Sequence, residues 1–245
     1  MAKRNVLILD TKESPWFAFL EEFFEDTPSQ LNAFYESAPA GVAIDKTAQD
    51  IAFINPALLS PALTQKLKVL RQRLPDFRAF QINAPKGSAH TFPFEDFFHP
   101  IPPLVDFQKQ LVQHLVLPET IRVLVVDDEP EIGVMMRDFF ERRVSPTFEI
   151  DYAENGAVGL ERIAKKKPDV LVLDIKMPVK DGREVYREIK KNSWNIPVII
   201  FFDAISGDEM MEIHKTGHPA VVEKGARQSA MPEMMTLIKK MAFFG

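Results

Sequence analysis

The chain contains no cysteine. That excludes a disulfide framework and any thiolate metal site, and it suits a reducing compartment. Long hydrophobic runs are missing as well. Met1-Ala2-Lys3-Arg4 resembles the start of a signal peptide, but the apolar run over residues 6–9 stops at Asp10. It is far too short for an h-region or a membrane span. Nor is there an excess of positive charge: 30 Lys and Arg stand against 35 Asp and Glu, a formal net charge of −5. Phosphate backbones want clustered cations, so the balance argues against a nucleic-acid surface. The expectation is a soluble cytoplasmic protein with neither membrane nor nucleic acid as partner. Its 245 residues and 46% hydrophobic content suit one or two globular domains.

What is present is organised around Leu171-Val172-Leu173-Asp174-Ile175-Lys176-Met177-Pro178-Val179-Lys180-Asp181-Gly182. Val170–Leu173 reads as a short strand buried on both faces. It ends in a carboxylate, then in the Met-Pro and Asp-Gly signals of loop and turn. A lone aspartate there could simply cap a loop. Upstream, however, Ile121-Arg122-Val123-Leu124-Val125-Val126 runs into Asp127-Asp128-Glu129-Pro130. Two βα units thus bring acids to the carboxyl edge of one sheet, where open α/β folds place their chemistry. Clustered carboxylates oppose one another's ionisation unless a cation sits among them. Mg²⁺ suits the set, being hard and oxygen-seeking. A third strand, Val221-Val222-Glu223, ends in Lys224, whose ammonium can pair with a carboxylate and then with a phosphoryl group. Acids, lysine and metal together let an aspartate accept a phosphoryl group by in-line attack.

These residues, with Pro197 opening a fourth strand and Gly217, make residues 121–245 resemble the CheY-like receiver domain of two-component response regulators. The resemblance implies that Asp174 is the phosphoacceptor and Lys224 the phosphoryl partner. It implies that Asp128 binds Mg²⁺ directly, Asp127 through water, and that the Lys176 carbonyl completes the protein ligands. It further implies a histidine kinase or histidine phosphotransfer protein as donor, and a downstream protein partner. A homodimer fits the family, though no residue compels one. The methionines at 210, 211, 231, 234, 235 and 241 fall on the family's usual interaction face, most of them expected to face the core.

The first half repeats the layout. Strands are expected at 5–9, 31–35, 51–54, 78–82 and 95–98, and helices at 13–26, 39–49, 62–74 and 104–116, with a loop at 84–90. Asp10 falls where Asp127 does, Thr11 on Asp128, Asn55 on Asp174, and His99 on Lys224. Asn83 ends the fourth strand. Residues 1–117 therefore resemble a degenerate, pseudo-receiver domain, joined by the short linker 118–120 to the receiver at 121–245. The fold class expected is α/β: two tandem (βα)5 flavodoxin-like domains, each a parallel five-stranded sheet in the order 2-1-3-4-5. An asparagine amide is no nucleophile toward phosphate, and Thr11 is no carboxylate ligand. A scaffold or binding role is expected for this half, with His99 a hydrogen-bonded residue of the rim.

The second half also departs from its family. The Thr or Ser usual at the end of strand four is Phe202, followed by Asp203. The aromatic usual in strand five is Val221, and the proline after the lysine is Gly225. Helix five is expected at 232–241, with no output domain after it. Three readings follow. The first is a phosphorylatable response regulator that signals by protein contacts, not an enzyme on any external substrate. The second is a phosphorylation-independent adaptor. The third is a phosphorelay intermediate or phosphate sink.

Overall fold

The computed structural model describes residues 5–11, 13–27, 30–35, 50–83, 92–143, 145–225 and 227–244. The helix expected at 39–49 and the loop expected at 84–90 lie outside these residues. The chain divides into two compact units, with the boundary between Val116 and Leu117.

The first unit is built from β1 (Asn5–Asp10), α1 (Trp16–Phe24), β2 (Gln30–Tyr35), β3 (Ile51–Ile54), α2 (Pro61–Arg73), β4 (Arg78–Ile82), β5 (Asp96–Phe98) and α3 (Leu104–Val112). All its strand pairs are parallel, in the order β2-β1-β3-β4-β5. Residues on β1, β3 and β4 alternate between two cores, as period-two side chains must. Leu7, Leu9, Ala52, Ile54 and Ala79 meet Leu63, Leu67 and Leu70 of α2. The opposite face is aromatic: Phe53 stacks on Phe80 at 5.5 Å, and Phe107 of α3 meets Phe98 at 4.6 Å and Phe23 at 4.9 Å. α1 begins at Trp16, later than the expected residue 13. Pro15 disfavours helical geometry at the residue before it, so the helix opens only beyond Pro15.

The second unit comprises β6 (Thr120–Val126), α4 (Pro130–Phe140), β7 (Thr147–Ala153), α5 (Gly156–Lys165), β8 (Val170–Leu173), α6 (Gly182–Lys191), β9 (Val198–Phe202), α7 (Gly207–Thr216), β10 (Ala220–Glu223) and α8 (Arg227–Phe244). Its sheet is parallel too, ordered β10-β9-β8-β6-β7. Counted within the unit, this is again 2-1-3-4-5. Val123, Val125, Val170, Val172, Ile199 and Phe201 pack against α4 and α8. Leu124, Val126, Leu171, Leu173, Val198 and Ile200 pack against α5, α6 and α7. Apolar residues on both faces explain why these strands read as continuous runs.

The last helix differs from expectation. It starts at Arg227 and carries Pro232 inside it, where a start at 232 was expected. A proline forfeits one backbone bond early in the helix. Ala230, Met231, Met234, Leu237, Ile238 and Met241 are all buried in the α4 core and hold the helix in place. The methionines on this face are accordingly mostly core. Met210 is half-buried outside these cores, and Met211 is 57% exposed.

Candidate functional site

β6 and β8 are adjacent, with Val126 opposite Leu173. Asp127 and Asp174 therefore leave neighbouring strands at the same level, and the Asp174 amide still donates to the Val126 carbonyl at 2.9 Å. Asp128 follows Asp127, so three carboxylates offer oxygens that all lie within 4.8 Å of one another. Asp127 and Asp174 are buried, while Asp128 is exposed. Lys224 leaves the end of β10, where its amide donates to Phe202. Its ammonium is buried and lies 3.0 Å from Asp127 Oδ2, 3.3 Å from Glu129 Oε1 and 3.4 Å from Asp174 Oδ1.

The loop after β8 is fixed from both ends. Asp181 caps α6 in a reciprocal capping box with Glu184. Gly182 must be glycine, because a Cβ there would lie 2.0 Å from the Asp174 carbonyl oxygen. On the other side, Asp127 Oδ1 accepts from the Glu129 amide, and the Tyr152 hydroxyl donates to the Asp127 carbonyl. A cavity of about 100 Å³ opens among Asp128, Glu129, Asp174, Lys176, Phe202, Asp203 and Lys224.

Burial sets the proton affinities. It pushes Asp174 up; Lys224 pulls back, Asp127 pushes further, and the result is about 6. Asp127 is likewise raised by burial, against the Glu129 amide and Lys224. Burial draws the Lys224 ammonium down, but Asp127, Asp174 and Glu129 outweigh it and hold the group above the ordinary lysine value. Crowded carboxylates beside one lysine want a further cation. Three converging carboxylate oxygens are a donor set that suits a hard divalent ion such as Mg²⁺.

The residues expected to switch are placed as follows. Phe202 lines the cavity and packs partly against the core below. Asp203 is 61% exposed, with Oδ2 3.8 Å from Lys224 Nζ. Val221 is exposed on β10. The next hydroxyl along the sequence after Phe202, that of Ser206, accepts from the Glu209 amide as the cap of α7. Lys176 lines the cavity, but its side chain reaches outward toward Glu209, 3.9 Å away. Glu129 was missed as a partner of Lys224; its position as a third consecutive acid was the available signal.

In the first unit, the equivalent edge holds a different arrangement. Asp10 is buried, and its carboxylate accepts from the Thr11 amide at 2.9 Å, Asn55 Nδ2 at 3.0 Å and Asn83 Nδ2 at 2.7 Å. Asn83 also donates to Ser14 Oγ, a residue not anticipated. Asn83 reaches inward from a left-handed backbone, φ 58°, a conformation asparagine tolerates better than most residues. The side chain of Thr11 is not part of this network. His99, expected at the rim, is exposed just after β5. Phe98 takes the buried place at the end of β5, and the next residue passes to the surface.

A family model for the response regulator receiver domain matches residues 123–236. Residues 123–236 are a response regulator receiver domain. The chain is 42% identical over 85 residues to a protein-glutamate methylesterase/protein-glutamine glutaminase of Treponema denticola, covering 34% of this chain and 22% of that protein. It is 35% identical over 79 residues to sporulation initiation phosphotransferase F of Bacillus subtilis, covering 32% of this chain and 61% of that one. The chain thus spans about a fifth of the methylesterase and under two thirds of the phosphotransferase. Among solved structures, the response regulator domain of Thermotoga maritima CheB is 25% identical, with a TM-score of 0.45. That alignment covers 50% of this chain and 96% of that one. Among the described residues, no helix is long and apolar enough to cross a membrane.

Proposed function

We propose that Asp174 accepts a phosphoryl group from a histidine kinase or histidine phosphotransfer protein, and that the chain passes the signal on by protein contacts. The observation that carries this reading is the convergence of Lys224 on Asp174 and Asp127 inside a cluster of three acids. An Asp174 carboxylate oxygen bonds to phosphorus while the bond from phosphorus to the donor's imidazole nitrogen breaks, that nitrogen keeping the electron pair. Lys224 pairs with the transferred group and offsets its charge. Phe202 walls one side of the cavity and limits water. Asp127, Asp128 and Asp174, with the Lys176 carbonyl, would hold Mg²⁺, which supplies positive charge to the phosphoryl oxygens. The chemistry is self-directed, and no external substrate is turned over.

The first unit is a degenerate receiver that serves as scaffold. Asp10 has its charge met by two amides in place of a metal, and Asn55 offers no nucleophile. Phe202 and Asp203 favour a second reading, in which the acid pocket is retained in a phosphorylation-independent adaptor.

Intact mass after incubation with acetyl phosphate and Mg²⁺ separates the two. One phosphoryl mass on the wild type and none on Asp174→Asn supports the first reading. No added mass, or equal labelling of Asp174→Asn, overturns it in favour of the adaptor.

A further inference from the structure

Lys224 is shared unequally. Asp127, Glu129 and Asp174 lie within 3.4 Å of its ammonium, whereas Asp203 stands off at 3.8 Å with a side chain 61% exposed. Asp203 opens a four-residue stretch, 203–206, that has neither helix nor strand geometry and leads into α7. Among the described residues, Lys224 is the one cation paired with it. Two apolar anchors flank the acid: Phe202 before it and Ile205 after it, both packed against the core that contains Leu173 and Ile213. Ahead of the Ser206 cap that ties its end to α7, the loop is held inward by two apolar contacts and one long ion pair.

We propose that phosphorylation of Asp174 expels Asp203 from the pocket and releases the 203–206 loop outward. The proposal rests on Asp174 being the phosphoacceptor. A phosphoryl group in the cavity does two things to Asp203 at once. It takes up Lys224, removing the cation that Asp203 pairs with among the described residues, and it adds negative charge in the cavity that Asp203 also lines. Phe202 brings no side-chain donor to a phosphoryl group, and the Ser206 oxygen is held at the start of α7 by the Glu209 amide. Expulsion lifts Ile205 from the core and loosens the start of α7, whose cap is Ser206. The signal is thus a loop let go, exposing apolar surface beside α7.

Hydrogen exchange of the 203–210 segment, measured on the full chain with and without acetyl phosphate and Mg²⁺, tests this. Intact mass is recorded on the same samples. Where phosphoryl mass is present, the segment should exchange on the order of fivefold faster in the wild type. Asp203→Asn, which has no charge to expel, should show little acceleration in the molecules that carry phosphoryl mass. Phosphorylated wild type whose segment is unchanged or better protected overturns the proposal and leaves Asp174 as acceptor. Absence of phosphoryl mass overturns both.

Discussion

Replacing Asp174 by asparagine should stabilise the receiver domain, although it removes the residue proposed to do the chemistry. Burial lifts the Asp174 carboxyl from its ordinary 3.8 to about 6. Each tenfold change in proton affinity is worth about 1.4 kcal/mol, so full ionisation strains the native state by about 3 kcal/mol before screening. The cavity opens to solvent, which reduces this to about 1–2 kcal/mol. The sign follows from the raised value. Between about pH 4 and 6 the native state holds a proton that the unfolded chain has lost. The strain is absent below about pH 4, grows as pH rises through 6, and is complete above it. Asp174→Asn lacks that strain at every pH. Its advantage should be about 1–2 kcal/mol at pH 7.5 and shrink toward zero near pH 4. Mg²⁺ should stabilise the wild type more than the variant and narrow the gap. Amide exchange of β8 under native conditions reports the stability of this unit apart from the other. A variant less stable at pH 7.5, or an advantage that does not vary with pH, would refute the electrostatic account.

Asn55→Asp sets a second carboxylate against buried Asp10 and deletes a donor held at 3.0 Å. It should destabilise the first unit by about 3 kcal/mol, read from exchange of β1 and β3, and gain no phosphoryl mass from acetyl phosphate. Gly182→Ala drives a Cβ into the Asp174 carbonyl oxygen and the Ile175 backbone. Shifting the start of α6 should cost about 2–4 kcal/mol and slow labelling of Asp174 at least roughly tenfold, both measurable by denaturant unfolding and time-resolved mass.

Much of this architecture could be read from the chain because parallel strands buried on both faces leave continuous apolar runs. Val170–Leu173 and Arg78–Ile82 match their expected bounds for that reason. The acids of the receiver pocket were legible because each ends such a run, so register alone brings Asp127 beside Asp174. Long side chains were harder. The reach of Glu129 to Lys224 depends on rotamer and on the turn into α4, neither of which spacing records. Ser14 was invisible for a similar reason: its partner Asn83 reaches it through a left-handed backbone at the end of β4. His99 shows the limit of alignment by position. The residue after β5 is exposed where Lys224 after β10 is buried, a difference that position along the chain does not record.

Each unit buries an aspartate at the carboxyl edge of its sheet, Asp10 at the end of the first strand and Asp174 after the third, and they differ in what answers the charge. Asp10 receives two side-chain amides and a backbone N–H, all neutral and all held by the fold. Such a carboxylate is satisfied whatever the solution contains, so it has nothing to gain from a metal or a phosphoryl group. Asp174 is answered by one lysine that must also serve Asp127, Glu129 and Asp203. Burial raises its proton affinity, the shared lysine offsets that only in part, and the pocket stays responsive to an added cation. Stability and responsiveness are opposed at this sheet edge. The asparagines at 55 and 83 resolve the conflict in favour of a fixed structure, and the acids at 127, 128 and 174 leave it open for a ligand to resolve.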